Sequence, residues 1–186
     1  MFESELHSRG VQWPAMALVI AVSLCALGPL GFDIEEHLRL SLQSLLVCWL
    51  PLMLGWRAGV SGVIAYLCLG AAGLPVFAGY RGGLDILAGP TGGYLMGMPV
   101  AALVLGATTM NLPSDLNDRR RYIQVGVGMV LGHVIILASG IPWQRNFVPE
   151  LDTLETLKVF YRPALIKSAL GILLTVIVVR VKGARA

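Results

Sequence analysis

Lys167 is the residue whose position most demands an explanation. It lies inside an apolar run, Val159 to Val179, about eight residues in and therefore roughly 12 Å deep at 1.5 Å per residue. A lysine near the centre of a hydrophobic span costs about 2.5 to 3.5 kcal/mol on insertion scales, so it should face a bundle interior or a wet cavity. The structural alternative is a side chain tilted toward the outer interface. Its neighbours one turn away, Pro163, Ala164, Leu170 and Gly171, include no acid. The counter-charge must come from elsewhere in the fold, from Asp85, or from a ligand, and a carboxylate ligand would serve.

Other polar and aromatic residues belong on the same side. Arg81 and Asp85 are four apart and either pair with each other or offer polar anchors. Phe77, Tyr80 and Tyr94 are candidate walls for a small, partly apolar ligand. Trp143 reads better as part of an aromatic belt at a membrane interface. His133, alone on an apolar helix, is either a hydrogen-bonded interior histidine or a ligand contact. The start of a helix at Pro90-Thr91-Gly92-Gly93 adds an anion-friendly end, where unpaired N–H groups and the helix dipole point outward.

Catalytic chemistry finds little support. Cys25, Cys48 and Cys68 are unpaired and sit in apolar runs, as small hydrophobes do. His7, His37 and His133 are dispersed, so no metal cluster is expected, and no serine nucleophile motif accompanies His133. The sequence thus points to no enzyme, no catalytic residue, no metal and no cofactor.

Positioning these residues is the task of the stretch from Tyr66 to Gly97. Glycine and proline cluster there between apolar segments, and they lower helix propensity by about 1 and 3 kcal/mol per residue. Lipid cannot satisfy the backbone groups such a break frees, so the segment should be buried in protein or line a polar cavity. Around it the chain reads as six spans. The first, about Trp13 to Leu30, opens with Pro14 at a helix start, and its small residues Ala17, Ala21 and Cys25 recur every fourth position. Such a face suits close helix packing, either within the bundle or against a partner. Leu42 to Gly55 and Val60 to Ala72 are short, with Pro51 a kink and Arg57 marking the turn between them. Pro90 to Thr109, Tyr122 to Gly140 and Val159 to Val179 complete the set. Polar connections run from Gly31 to Leu40, Met110 to Arg121 and Ile141 to Leu157.

Composition agrees. The 186 residues are 56% hydrophobic and 13% charged, with mean hydropathy +0.74, against about 25% charged in soluble domains. The expected fold is an all-α integral membrane protein, a single domain over residues 1–186. It has six transmembrane helices and a glycine-rich extracellular loop between helices 3 and 4. A net charge of +3 spread among loops gives no nucleic-acid footprint. The acidic N-terminal segment argues against a cleaved signal peptide. One side of a six-span topology collects Arg9, Arg57, Arg119, Arg120, Arg121, Arg180, Lys182 and Arg185. The other collects only Arg39, Arg81, Arg145, Lys158 and Arg162. The positive-inside rule then puts both termini in the cytoplasm of a plasma (inner) membrane protein, and the glycine-rich loop outside.

At these residues the chain resembles BioY, the biotin-binding substrate-specificity (S) component of energy-coupling factor (ECF) transporters. The likeness is specific over Tyr66-Leu67, Gly70, Gly73 to Ala78 and Gly89 to Tyr94. It is looser through Ser41-Leu42-Gln43, Gly132-His133 and Trp143. It implies biotin held near the outer face as a transported substrate, with Lys167, Ala164, Phe77, Gly93, Tyr94 and His133 as candidate contacts, while Tyr80, Arg81 and Asp85 join them by their position in the loop and not by a matched motif. It also implies docking of the ECF transmembrane coupling subunit, energised by ATPases, on the Ala17/Ala21 face. Some members of the family look able to work alone, as homo-oligomers. One departure stands out: the family typically carries an aspartate three residues before this lysine, and here that position is Ala164. The rival readings are an S component for another vitamin or small carboxylate, and a membrane protein that transports nothing.

Overall fold

A computed structural model describes residues 2–35, 38–108, 119–150 and 152–183. The order is α1 (Phe2–Leu27), β1 (Gly31–Glu35), β2 (Leu38–Ser41), α2 (Leu42–Leu54), α3 (Trp56–Ala71), α4 (Leu84–Ala88), α5 (Gly92–Thr108), α6 (Arg119–Gln144) and α7 (Thr153–Gly183). The fold is helical, and the expectation of a purely α chain is modified in one place. The acidic connection after α1 forms an antiparallel hairpin pairing Gly31 with Ser41 and Asp33 with Arg39. Expected features at Glu36, His37, Asn111, Asp115, Asp118 and Arg185 lie outside the described residues.

Helix boundaries follow local chemistry. Ser41 caps α2, its hydroxyl accepting from the Gln43 N–H at 3.2 Å. Asp152 does the same for α7, accepting from the Leu154 N–H at 2.8 Å. That cap starts the last helix six residues earlier than hydropathy alone marks. Lys167 consequently lies further from the start of its helix than from the start of the apolar run. Pro14 falls inside α1, not at its start, because the polar segment before it is also helical. Helix α5 begins at Gly92, two residues past Pro90. The turn between α2 and α3 is made by Gly55, at φ 88°, and not by Arg57, which lies over the Trp56 ring 5.4 Å from its centroid.

Tyr66 to Gly97 is broken as expected. Helix α3 ends at Ala71, a tight turn brings Phe77 opposite Arg81, and the short α4 leads into α5. This connection is pinned to the bundle: the Gly79 N–H donates to Pro29 O at 3.1 Å and the Gly83 N–H to Gly70 O at 2.7 Å. Phe77 is wholly buried and meets Tyr66 edge to face, ring centroids 5.6 Å apart, while the Tyr66 hydroxyl donates to Val76 O at 3.1 Å. Gly70 makes this possible, since a Cβ there would run into the Phe77 ring.

Helix α1 packs on α3, and α5 lies among α2, α3 and α6, with α7 laid against α6 and, more lightly, α2. The core joins Ile20 and Leu24 to Val47, Leu52, Val63, Leu105, Val125 and Met129. Two helical segments, Tyr122–Gln144 and Thr153–Val181, are long and apolar enough to cross a membrane, with mean hydropathies of 1.9 and 2.2. Four more, Gln12–Leu27, Leu42–Leu54, Trp56–Ala71 and Gly92–Thr108, are apolar but shorter.

Candidate functional site

A cavity of about 250 Å³ opens at the end of the bundle where α3 and α6 finish and α2, α5 and α7 begin. That volume suits a small metabolite, just below the usual range of about 300 to 1,000 Å³ for ligand pockets. Its walls come from the α2 start (Ser41, Gln43, Ser44), the connection (Phe77, Ala78, Arg81) and α4 (Ile86). They continue through Thr91, α5 (Tyr94, Leu95, Met98), α6 (His133, Ile136, Leu137, Gln144) and α7 (Phe160, Pro163, Ala164, Lys167). Most of that surface is apolar, so each polar atom on it matters.

Lys167 is buried, 7% exposed, and its ammonium donates to Ser44 Oγ at 2.9 Å. The expectation that it faces the bundle interior is met in this geometry. Arg81, exposed, also lines the cavity and donates through Nε to Ala78 O at 3.2 Å. The described lining holds these two cations and no carboxylate. No ion pair links Arg81 to Asp85 among the described residues, so the alternative of a purely structural pair is not realised. His133 is 6% exposed; its Nδ1 lies 2.7 Å from Met129 O while Nε2 has no partner. The Tyr94 hydroxyl donates to Gln144 Oε1 at 2.6 Å, and the Tyr94 ring lies 5.7 Å from that of Phe160. Together they form an aromatic wall with a polar edge.

Of the residues singled out from sequence, Lys167, Ala164, Phe77, Arg81, Tyr94 and His133 line the cavity, and Tyr80, Asp85 and Gly93 do not. Tyr80 sits at the exposed tip of the turn with φ 58°, and Asp85 is exposed at the start of α4. Gly93 is buried in the contact between α5 and α6, where a Cβ would meet the Trp143 ring and, at 2.7 Å, Ser139 O. Trp143 is more than a belt residue: its indole N–H donates to Gly89 O at 2.9 Å, clamping the end of α6 onto the turn before α5. Ala17 and Ala21 are buried, with Ala17 O and Ile20 against Gly62 of α3, so this small-residue face packs within the bundle and is not a free docking face.

Sequence reasoning missed Ser44, Gln144 and Phe160. A serine in an apolar run, a glutamine at a helix end and a phenylalanine on an amphiphilic segment are each unremarkable alone. Only the proximity of α2, α6 and α7 groups them. The one usable signal was the need of Lys167 for an acceptor.

Comparison with known proteins adds the following. The chain is 39% identical over 130 residues to a biotin transporter BioY of Rhodobacter capsulatus, covering 67% of this chain and 62% of that protein. It is 34% identical over 109 residues to a probable biotin transporter BioY of Pyrococcus horikoshii, covering 59% and 60%. Over 102 residues it is 41% identical to a biotin transporter BioY of Thermotoga maritima, 55% of each. The matched stretches thus span about three-fifths of these relatives' length. A crystal structure of the S-component for biotin from an ECF-type ABC transporter superposes with a TM-score of 0.77 at 22% identity, covering 95% of this chain and 93% of the other, so the two share a fold. The model of the BioY family matches residues 4–185, and the chain belongs to that family.

Proposed function

We propose that this membrane protein captures biotin at the outer face and carries it inward without covalent chemistry. The observation that carries this reading is the cavity with Lys167 buried in its wall, Arg81 at its rim and no acid among its described lining residues. A vitamin acid supplies the missing negative charge, and its apolar body suits the Phe77, Tyr94 and Phe160 walls. Ala164 leaves room beside Lys167, and Tyr80 and Asp85 flank the entrance. Membership of the BioY family, together with relatives named as biotin transporters, supports the choice of biotin.

In this reading α1, α2, α3, α5, α6 and α7 each cross the membrane, the shorter ones by thinning it locally. The excess of basic residues on the opposite side puts both termini in the cytoplasm. An ECF coupling subunit with its ATPases is the energising partner, supported by the source of the structure that shares this fold. A homo-oligomer is the form expected where import proceeds without it. Thermal melts in detergent test the core of the proposal. A ligand at 100 times its Kd adds about 2.7 kcal/mol to the folded state, so biotin should raise the melting temperature while other vitamin acids do not. No biotin-dependent shift, or an equal shift with another vitamin, overturns it.

A further inference from the structure

We propose that a phospholipid binds between α6 and α7, its acyl chain lying in an apolar groove on the outside of the bundle and its phosphate held by Arg145. The site is separate from the ligand cavity, and the inference does not depend on what that cavity holds.

The groove, about 290 Å³, is lined by Val134, Ala138, Ile141 and Pro142 of α6 and by Thr153 and Leu157 of α7. These two helices carry the described segments that are long and apolar enough to cross a membrane. Val134 and Leu157 are exposed, at 53% and 39%, so the groove opens onto whatever surrounds the bundle at that depth. In a membrane that is hydrocarbon. Water is a poor occupant, because a held water needs about two to four polar partners and the hydroxyl of Thr153 is the one polar side-chain group on the described walls. An empty recess forfeits dispersion contacts along its whole lining, and packing of that kind is what drives association in lipid. From Val134 to Ile141 the groove follows α6 for about 10 Å, at 1.5 Å per residue, which is room for several methylenes of one acyl chain.

The polar end of such a chain meets a matching charge. Val134, Ala138, Ile141 and Arg145 stand at i, i+4, i+7 and i+11, which is a single helix face. Arg145 keeps the helical course, its N–H donating to Ile141 O at 3.2 Å. Its side chain is exposed and makes no ion pair among the described residues. The acids at the adjoining start of α7 are already engaged: Asp152 Oδ1 accepts from the Leu154 N–H at 2.8 Å, and Glu155 pairs with Lys158 at 2.6 Å. A guanidinium presents a fork of donors that suits a phosphate. A free phosphate would use the arginine and leave the groove empty, whereas a phospholipid satisfies both. Leu137 lines this groove and the ligand cavity alike, so a seated chain lies one side chain away from the cavity and backs its wall.

The test uses purified wild-type protein in nanodiscs doped with phosphatidylglycerol that carries a diazirine midway along one acyl chain. After irradiation, peptide mass spectrometry should find the label concentrated on residues 134–142 and 153–157, above its level around the exposed Val100 and Leu173. An even spread means bulk lipid only and overturns the proposal, with no variant required. In detergent, native mass spectrometry during a phosphatidylglycerol titration should show one lipid retained by wild type. Ala138→Phe, which fills the groove, should lose it, and Arg145→Gln should bind it about tenfold or more weakly. Undiminished binding by Ala138→Phe overturns the groove as the site, and undiminished binding by Arg145→Gln overturns the assignment of the phosphate. A dimer that Ala138→Phe converts to monomer would seat a second copy of the chain in the groove and overturns the lipid as its occupant.

Discussion

Lys167 and Ala164 lie one helical turn apart on α7 and line the same cavity, yet one carries a buried charge and the other nothing to balance it. Replacing Lys167 with alanine removes a charged donor, and interactions of that kind contribute about 1.5 to 3 kcal/mol. Biotin affinity should fall about ten- to hundredfold, read by titration with labelled biotin, and unchanged uptake at limiting biotin would take the lysine out of the site. Ala164→Asp tests the opposite change. A carboxylate there would face Lys167 across one turn and pair with an ammonium whose described partner is a single hydroxyl. Losing one member of a buried pair costs about 3 to 5 kcal/mol in soluble proteins, so regaining it should raise the melting temperature of the ligand-free protein in detergent. An unchanged or lower melting temperature would refute that expectation. Lys167 was legible in the sequence because a charge in an apolar run has few reasons to exist. Ser44 was not, because a hydroxyl in such a run can bond its own helix and so signals nothing.

At the scale of elements, the site depends on how closely α5 and α6 approach. Gly93 and Gly97 of α5 meet Trp143, Ser139 and Ile136 of α6, and the Tyr94 ring lies over Gly140. This contact holds Tyr94 and Gln144 at hydrogen-bond distance on the cavity rim. Gly93→Ala should therefore destabilise the protein by about 1 to 3 kcal/mol, the usual range for overpacking a tight contact, seen as a lower melting temperature in detergent. An unshifted melt would show that the helices separate freely. The glycine-rich segment advertised itself by composition, and its break into turn, short helix and long helix was readable. The purpose of Gly93 was not: a glycine beside a ligand and a glycine beside a tryptophan look alike until the facing helix is known. The hairpin after α1 escaped notice because strands of five and four residues carry too little alternation to rise above a charged linker. The early start of α7 escaped because its first turns are polar and hydropathy sees only the apolar remainder.

For the whole molecule the arrangement implies a sidedness that can be checked directly. Tyr80, 64% exposed at the tip of the pinned turn, stands at the end of the bundle where the cavity opens. In a background free of other cysteines, Tyr80→Cys should react with a membrane-impermeant maleimide on intact cells, and Gly183→Cys should react only after lysis. The reverse pattern would invert the topology. The alternation of helices was legible from hydropathy and the charge bias of the loops, since both are sums over many residues. Which helices enclose the cavity was not, because that depends on tertiary neighbours.

Among the described residues, helices α1 and α3 contribute no side chain to the cavity lining. Their outer surface, with Val19, Val22 and Ile64 exposed, also carries the accessible thiol of Cys68, whereas Cys48 is buried and Cys25 half-buried. A dye attached to Cys68 would therefore sit on a part of the protein that no captured molecule touches. It offers a landmark outside the cavity from which distances to the cavity-lining helices, with and without biotin, can be ranged by energy transfer.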